Sequence, residues 1–142
     1  MTPELDALQG FFASAPFMVE LGVQVTAVTE GRLSTQMLIE QKHLQHTGQV
    51  HAGVMASLAD HSMGAAAQTM APEDHWIVTA ELKTSVLRPA RGERLLCEAV
   101  VLKSGRRLSF TEAEVFAQAP DGQRTLVMKA SATMALALKQ GS

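Results

Sequence analysis

One aspartate stands in the middle of an apolar stretch of the chain. Asp60 is preceded by Leu58 and Ala59 and is followed closely by Met63. A carboxylate among apolar neighbours costs free energy unless it is paired or has a chemical task. Such a group suits a general base or a nucleophile. The alternative is structural: Asp60 binds a neighbouring backbone amide or a basic side chain.

A second group of candidates lies where a polar loop leads into a predicted helix. The loop carries Gln45, and Ala52 and Gly53 follow the expected helix start near His51. Helix N-termini present free N–H groups and the positive end of the helix dipole, which stabilise a developing oxyanion. Gln45 offers a side-chain amide as a further donor. An ordinary helix cap is the alternative interpretation.

Four histidines in the same region raise the question of a metal site: His43, His46, His51 and His61. Their spacing, H-x2-H-x4-H-x9-H, matches no standard zinc signature. We therefore expect no metal. We expect His51 to form hydrogen bonds within the loop or to pack at the helix start.

A basic turn lies in the second half of the chain. It consists of Ser104, Gly105, Arg106 and Arg107. Guanidinium donors match the oxygens of a phosphate group. Residues 83–142 carry a formal charge of +5 and residues 1–82 carry −7. The pattern favours an anionic, phosphorylated ligand, and the alternative is a solvated hairpin tip.

The composition limits the class of protein. With 142 residues, 46% of them apolar and 18% charged, the chain is expected to form one globular domain over residues 1–142. It contains no G-x-S-x-G elbow, no G-x-G-x-x-G motif and no P-loop. Its basic residues lack neighbouring aromatic side chains, which argues against nucleic-acid binding.

The location is predicted from cysteine use and apolar runs. No segment approaches the ~20 apolar residues needed to cross a bilayer. Glu4 and Asp6, without a basic residue, argue against a targeting peptide at the N-terminus. The single cysteine, Cys97, excludes an intrachain disulfide and is typical of a reducing compartment. We therefore expect a cytoplasmic protein that does not bind membranes.

The candidate residues are distributed over a predicted series of helices and strands. A long apolar helix over residues 54–70 follows a short helix and two strands, and four more strands follow it. The predicted short helix spans residues 4–13, and the predicted strands span 23–29, 33–39, 77–87, 94–103, 108–118 and 125–138. This order predicts an α+β fold in which one buried helix packs against about six antiparallel strands.

Three stretches carry further motifs in a fixed order. Residues 48–60 read Gly-x-x-His-Ala-Gly, then six residues, then Asp; residues 87–92 contain Arg-Pro-Ala-Arg-Gly; residues 105–114 form a Gly-basic strand segment. Together they resemble the hotdog-fold thioesterases, in particular the phenylacetic-acid-degradation type. The resemblance covers about residues 17–137.

The resemblance implies roles for individual residues. Asp60 falls on the carboxylate that acts as nucleophile or activates water. Gln45 falls near the thioester carbonyl, and Ala52 falls on the glycine whose N–H polarises that carbonyl, followed by Gly53. Thr79 falls near a hydroxyl that orients the attacking water in some members. The family reads His-Gly-Gly where this chain reads His-Ala-Gly, which keeps the N–H and adds a methyl group.

The resemblance also implies substrate contacts and an assembly. The expected CoA-binding residues are His51, Arg88, Ser104, Gly105, Arg106 and Arg107. The implied fold is a long central helix wrapped by a curved antiparallel sheet. The implied enzyme is a homodimer or homotetramer that hydrolyses acyl- or aryl-CoA thioesters at the subunit interface, with no metal and no cofactor beyond the CoA of the substrate.

Two other functions stay open on the sequence alone. One is a non-catalytic acyl-CoA binding module with the same fold. The other is a hotdog hydratase that acts on enoyl or hydroxyacyl thioesters. The intact Asp60 argues against a pure binding module, since binding alone does not need a carboxylate in an apolar helix.

Overall fold

The computed structural model describes the backbone of residues 3–140 and the side chains of residues 6–140. The helices are α1 (Pro3–Ala13), α2 (Pro16–Leu21) and α3 (Ala52–Gln68), with a 3-10 turn at Gln41–His43. The strands are β1 (Gln24–Thr29), β2 (Arg32–Leu38), β3 (His75–Val86), β4 (Arg94–Ser104), β5 (Leu108–Gln118) and β6 (Arg124–Leu138). The predicted long helix and six strands are therefore confirmed.

The six strands form one antiparallel sheet. Their order is β1-β2-β4-β5-β6-β3, so β1 and β3 are the two edges. Helix α3 packs on one face of the sheet and contacts every strand from β2 to β6. Leu58 and Met63 of this helix are completely buried, and burying side chains of this size stabilises the fold by about 1.5–3 kcal/mol each.

The region before the sheet differs from the prediction. Pro16 ends the first helical pattern, as expected, but it also begins α2, which the sequence analysis did not predict. Proline is well tolerated at the first position of a helix because its missing N–H would have no partner there. Gly22 ends α2 with a φ of 85°, a conformation that favours glycine. Helix α3 begins at Ala52, as the N-terminal motif required.

Edge strand β3 is fastened to the end of α3 by one side chain. The Gln68 amide donates to the His75 carbonyl oxygen at 3.0 Å, and its oxygen accepts from the Ile77 N–H at 3.0 Å. Because both backbone groups belong to β3, Gln68 fixes the distance between this strand and α3. This contact holds the next part of β3 beside the middle of the helix.

Candidate active site

The candidate carboxylate lies between α3 and edge strand β3. Asp60 is half-buried, and its Oδ1 accepts a hydrogen bond of 2.7 Å from the Thr79 hydroxyl. The Thr79 hydroxyl also lies 3.5 Å from the Met134 sulfur. The structure thus brings together two of the predicted site residues, and it gives Thr79 a definite task, which is to hold the carboxylate in one orientation.

A cavity of about 220 Å³ opens beside Asp60. Its walls include Phe11 and Phe12 from α1, Trp76 and Ile77 from β3, and Gln68. The carboxylate and the Thr79 hydroxyl therefore share this chamber with aromatic and aliphatic walls and with two further polar side chains, His61 and Gln68. Such a combination of apolar walls and a few placed polar groups is typical of small-molecule sites.

His61 adjoins Asp60 in the chain but serves another purpose. Its Nε2 donates to the Phe12 carbonyl oxygen at 2.8 Å, which ties α1 to α3. Burial lowers the pKa of His61, although the bond to Phe12 and the charge of Asp60 act in the opposite direction. A neutral ring that donates to a backbone carbonyl is suited to anchoring α1, which the sequence analysis missed because Phe12 lies 49 residues away.

The N-terminus of α3 carries the second half of the predicted site. The Gly53 N–H donates to His51 Nδ1 at 2.8 Å, and the Val54 N–H donates to the His51 carbonyl oxygen at 3.0 Å. Within residues 3–140, no acceptor takes the Ala52 N–H. The free donor at this helix end is therefore that of Ala52, the position predicted to polarise the substrate carbonyl.

Gly53 has a structural reason to be glycine. A Cβ at this position would lie 3.0 Å from His51 Nδ1 and 3.2 Å from the neighbouring ring carbon. A side chain here would crowd the imidazole that caps the helix. Because Nδ1 of His51 accepts the Gly53 N–H, the neutral ring carries its proton on Nε2. The prediction that His51 forms hydrogen bonds at the helix start is confirmed.

Gln45 is held close to the helix start by the folding of its loop. The His51 N–H donates to the His43 carbonyl oxygen at 2.9 Å, and Leu44 pairs with Val50. The Gln45 side-chain oxygen accepts the Thr47 N–H at 3.3 Å. In the described part of the chain its amide nitrogen has no acceptor, so Gln45 retains a donor for a ligand.

The two halves of the predicted site do not meet within one chain. Asp60 follows Ala52 by eight residues on the same helix, which places their backbones about 12 Å apart along its axis. A single carbonyl carbon attacked at Asp60 is therefore too far from the Ala52 N–H of the same chain. The structure separates residues that the sequence motif suggests are neighbours.

The basic turn between β4 and β5 lines a separate cavity. Ser104, Gly105, Arg106 and Arg107 border a space of about 720 Å³, together with His75 and Leu136. Both arginines are exposed. The Gly105 N–H donates to the Leu108 carbonyl oxygen at 2.8 Å, and a Cβ on Gly105 would lie 2.8 Å from that oxygen. Glycine is therefore required for this tight turn.

Arg88 lies apart from this turn. Its Nη1 donates to the Leu126 carbonyl oxygen at 2.7 Å, which fastens the segment after β3 to β6. The rest of its guanidinium is exposed. Arg88 thus has a structural contact of its own beside the CoA-binding role predicted for it.

The described residues contain neither a cluster of metal-ligating side chains nor a helix that could span a membrane. Within them, no three His, Cys, Asp or Glu side chains come together as a group that could hold a metal ion. His43 is buried with both ring nitrogens occupied, by the Glu40 N–H and the Leu21 carbonyl oxygen. None of the helices in this part of the chain has the length and apolar character needed to span a membrane.

Comparison with known proteins identifies the family. Residues 47–122 match the profile of the Thioesterase superfamily. A solved thioesterase family protein from Silicibacter pomeroyi superposes with a TM-score of 0.89 and 30% identity, covering 92% of this chain and 96% of that one. The chain belongs to the thioesterase superfamily. Its fold is accordingly the hotdog thioesterase fold, as the motif resemblance implied.

Sequence relatives support the same family over part of their length. A Caenorhabditis elegans protein named as a candidate esterase is 35% identical over 97 residues, which cover 68% of this chain and 56% of that protein. Human acyl-coenzyme A thioesterase 13 is 27% identical over 94 residues, which cover 66% of each chain. The match therefore spans little more than half of the first relative.

The hydrogen bond from Thr79 to Asp60 leads to a testable prediction for thioester hydrolysis. Replacing Thr79 by Val, which keeps the shape and removes the hydroxyl, should lower thioester turnover about ten- to hundredfold, because a hydrogen bond to a charged group is worth roughly 1.5–3 kcal/mol. Thr79→Ser should retain most of the turnover. The measurement is steady-state hydrolysis monitored by thiol release. Equal turnover in the Val and Ser variants would show that the hydroxyl has no role.

Proposed function

We propose that this protein is an acyl-CoA thioesterase, which hydrolyses an acyl- or aryl-CoA to the free acid and CoA. The observation that carries the proposal is the Asp60 carboxylate, held by Thr79 at the wall of an apolar cavity. The family membership supports the same reaction. An aryl substrate, as in the phenylacetic-acid-degradation type, is supported by the phenylalanine and tryptophan side chains in that cavity.

The carboxylate has two ways to promote the reaction. As a base, Asp60 takes a proton from water while the water oxygen bonds to the carbonyl carbon; the C–S bond then breaks and the CoA thiolate leaves. As a nucleophile, Asp60 itself attacks the carbonyl carbon and expels the thiolate, and water then hydrolyses the mixed anhydride. In both cases Thr79 fixes one oxygen of the carboxylate, and in the first its hydroxyl oxygen accepts a hydrogen bond from the water.

The oxyanion needs donors that one chain does not bring to Asp60. The Ala52 N–H and the Gln45 amide are the available donors, and they sit at a helix N-terminus, where the dipole also favours negative charge. Because Ala52 lies about 12 Å from Asp60 along the same helix, we propose that each site combines Asp60 and Thr79 of one copy with Ala52 and Gln45 of a second copy.

Edge strand β3 is the proposed contact between the two copies. It spans 12 residues, whereas the opposite edge strand β1 spans 6. Val78, Leu82 and Val86 of β3 are exposed. A long edge strand that exposes several apolar side chains is a template for pairing with another chain. Thr79 lies on this strand, so pairing there brings the second copy to the candidate site. The assembly we propose is a homodimer, or a homotetramer built from two such dimers.

The basic turn is the proposed contact for the phosphates of CoA. Arg106 and Arg107 are exposed beside a cavity of about 720 Å³, and Gly105 shapes the turn. We also keep His51 and Arg88 as proposed CoA contacts, since each has exposed ring or guanidinium nitrogens. The proposed hydrolysis uses water and these side chains, with CoA as part of the substrate, and requires no cofactor.

We propose a cytoplasmic location because the single cysteine is a buried free thiol. Cys97 is buried, and burial raises the pKa of its thiol to about 12. The thiol therefore stays protonated and unreactive at neutral pH. A buried free thiol without a disulfide partner is typical of proteins from reducing compartments.

The role of Asp60 is tested by removing its charge. Asp60→Asn should keep the fold and lower turnover by at least about 10²-fold, because the amide is neither a base nor a nucleophile. The measurement is acyl-CoA hydrolysis with a thiol reagent, and circular dichroism checks the fold. Asp121→Asn, at an exposed turn, is the matched control and should remain fully active. Near-normal turnover in folded Asp60→Asn would remove Asp60 from the mechanism.

The role of the basic turn is tested by separating binding from chemistry. The double variant Arg106→Ala/Arg107→Ala should raise KM at least about tenfold and change kcat less, because remote phosphate contacts stabilise ground state and transition state about equally. The effect should shrink as salt rises. The KM for a pantetheine thioester, which lacks the phosphates, should change little in the double variant. Arg32→Ala is the control and should leave both KM values unchanged. Equal losses on both substrates would make the arginines structural.

A further inference from the structure

The cavity at Asp60 does not end at its aromatic wall. A second, larger groove of about 690 Å³ lies on the far side, between α1 and the segment that joins α3 to β3. Phe11, Gln68 and Trp76 line both spaces. These three side chains therefore form the partition between an inner chamber, which contains Asp60, and an outer groove, and both spaces are open to solvent.

The partition is built from a stacked aromatic pair. The rings of Phe11 and Trp76 lie 5.6 Å apart between centroids and are inclined by only 17°. Lys139 places its ammonium 4.2 Å from the Trp76 centroid, and the ring of Phe12 meets Phe11 edge-on at 6.0 Å. Gln68 fixes the backbone on both sides of Trp76. The pair is thus held in place by four separate contacts.

The chemistry of both spaces suits an acyl group rather than the CoA end of the substrate. Apart from Asp60, Thr79, His61 and Gln68, the inner chamber is lined by aromatic and apolar residues, and no lysine or arginine borders it. The outer groove is also lined by apolar side chains such as Leu8 and Pro72. Its lysine, Lys139, places its ammonium over the Trp76 ring. The arginines suited to phosphates border a different cavity.

The size of the inner chamber limits what it can hold. Its volume of about 220 Å³ is below the roughly 300–1,000 Å³ of pockets that enclose drug-sized ligands. It therefore accommodates a short chain or a single ring next to Asp60. A longer acyl chain that runs along α1 reaches the Phe11–Trp76 pair, and the outer groove lies beyond that pair.

We propose that the Phe11–Trp76 pair sets the maximum length of the acyl group, so that the natural substrate is a short-chain or single-ring acyl-CoA. The proposal rests on the proposed thioesterase function and assigns a specificity role to residues outside the reacting groups. Phe11 also lies outside residues 47–122, the segment that matches the family profile.

The direct test removes one ring of the pair. Phe11 is 52% exposed, so Phe11→Ala should leave the fold intact. Hydrolysis is measured on acetyl-, hexanoyl-, decanoyl- and dodecanoyl-CoA for the wild type, Phe11→Ala and the milder Phe11→Leu. Each further methylene that becomes buried should raise kcat/KM roughly fourfold. The ratio of dodecanoyl to hexanoyl activity should therefore rise at least about tenfold in Phe11→Ala and less in Phe11→Leu.

A matched control is available on the next helix. Phe17 is 59% exposed on α2 and lines neither space. Phe17→Ala should keep the chain-length profile of the wild type. The same profile shift in Phe17→Ala would assign the effect to general loosening of the N-terminal helices and would overturn the proposal.

Binding gives a second readout that does not depend on turnover. Trp76 is the only tryptophan in the chain, so its fluorescence reports on the partition. In the Asp60→Asn background, decanoyl- and dodecanoyl-CoA should change Trp76 emission, whereas acetyl-CoA should not, with binding of each confirmed by calorimetry. Adding Phe11→Ala should lower the dissociation constant of dodecanoyl-CoA relative to that of acetyl-CoA.

The outcomes separate this proposal from the function on which it rests. A wild-type protein that neither binds nor hydrolyses any acyl-CoA would contradict the thioesterase function itself. Hydrolysis with an unchanged length profile in Phe11→Ala would overturn only the length limit. An equal change for every acyl length, acetyl included, would indicate that the pantetheine arm occupies the groove and would also overturn it.

Discussion

The packing of α3 against one face of the sheet is the interaction on which the rest of the structure depends. Leu58, Ala59 and Met63 are completely buried there, and the Ser62 hydroxyl lies 2.8 Å from that of Thr35 on β2. A helix fixed in this way presents its N-terminus and Asp60 at positions that cannot adjust to each other. The site must therefore be assembled around a rigid separation of about 12 Å.

Edge strand β3 offers a way to bring oxyanion donors to Asp60 despite the distance along α3. Strand β3 carries Thr79, which holds Asp60, and it exposes Val78, Leu82 and Val86 at the edge of the sheet. A second copy that pairs with this edge can supply the donor N–H that the first copy lacks. In the proposed arrangement, pairing of a second copy with β3 has two effects. It covers the exposed edge strand, and it brings the missing oxyanion donors to Asp60.

Much of this could be predicted from the sequence, because local patterns determine it. Apolar runs predicted the strands, and a mostly apolar stretch without β-branched residues around Asp60 predicted α3. The family resemblance implied a site at a subunit interface, but the motif did not show which residues share one chain's half of it, because a motif shows spacing along the chain and not distance in space. The Phe11–Trp76 stack was missed because its members are 65 residues apart and meet only after α1 and β3 both pack beside α3. Helix α2 was missed because Pro16 signals an end and a start equally well.

The central claim is that each site uses Asp60 of one copy and the Ala52 N–H of another. It is tested most directly with Ala52→Pro, which removes that N–H at the first helical position, where proline is accommodated and His51 already has an extended backbone. Ala52→Pro and Asp60→Asn chains, each inactive alone, are co-expressed with different tags and the doubly tagged dimer is purified. Each such dimer should contain one intact site and about half of wild-type turnover. A mixed dimer as inactive as the two parents would contradict the account.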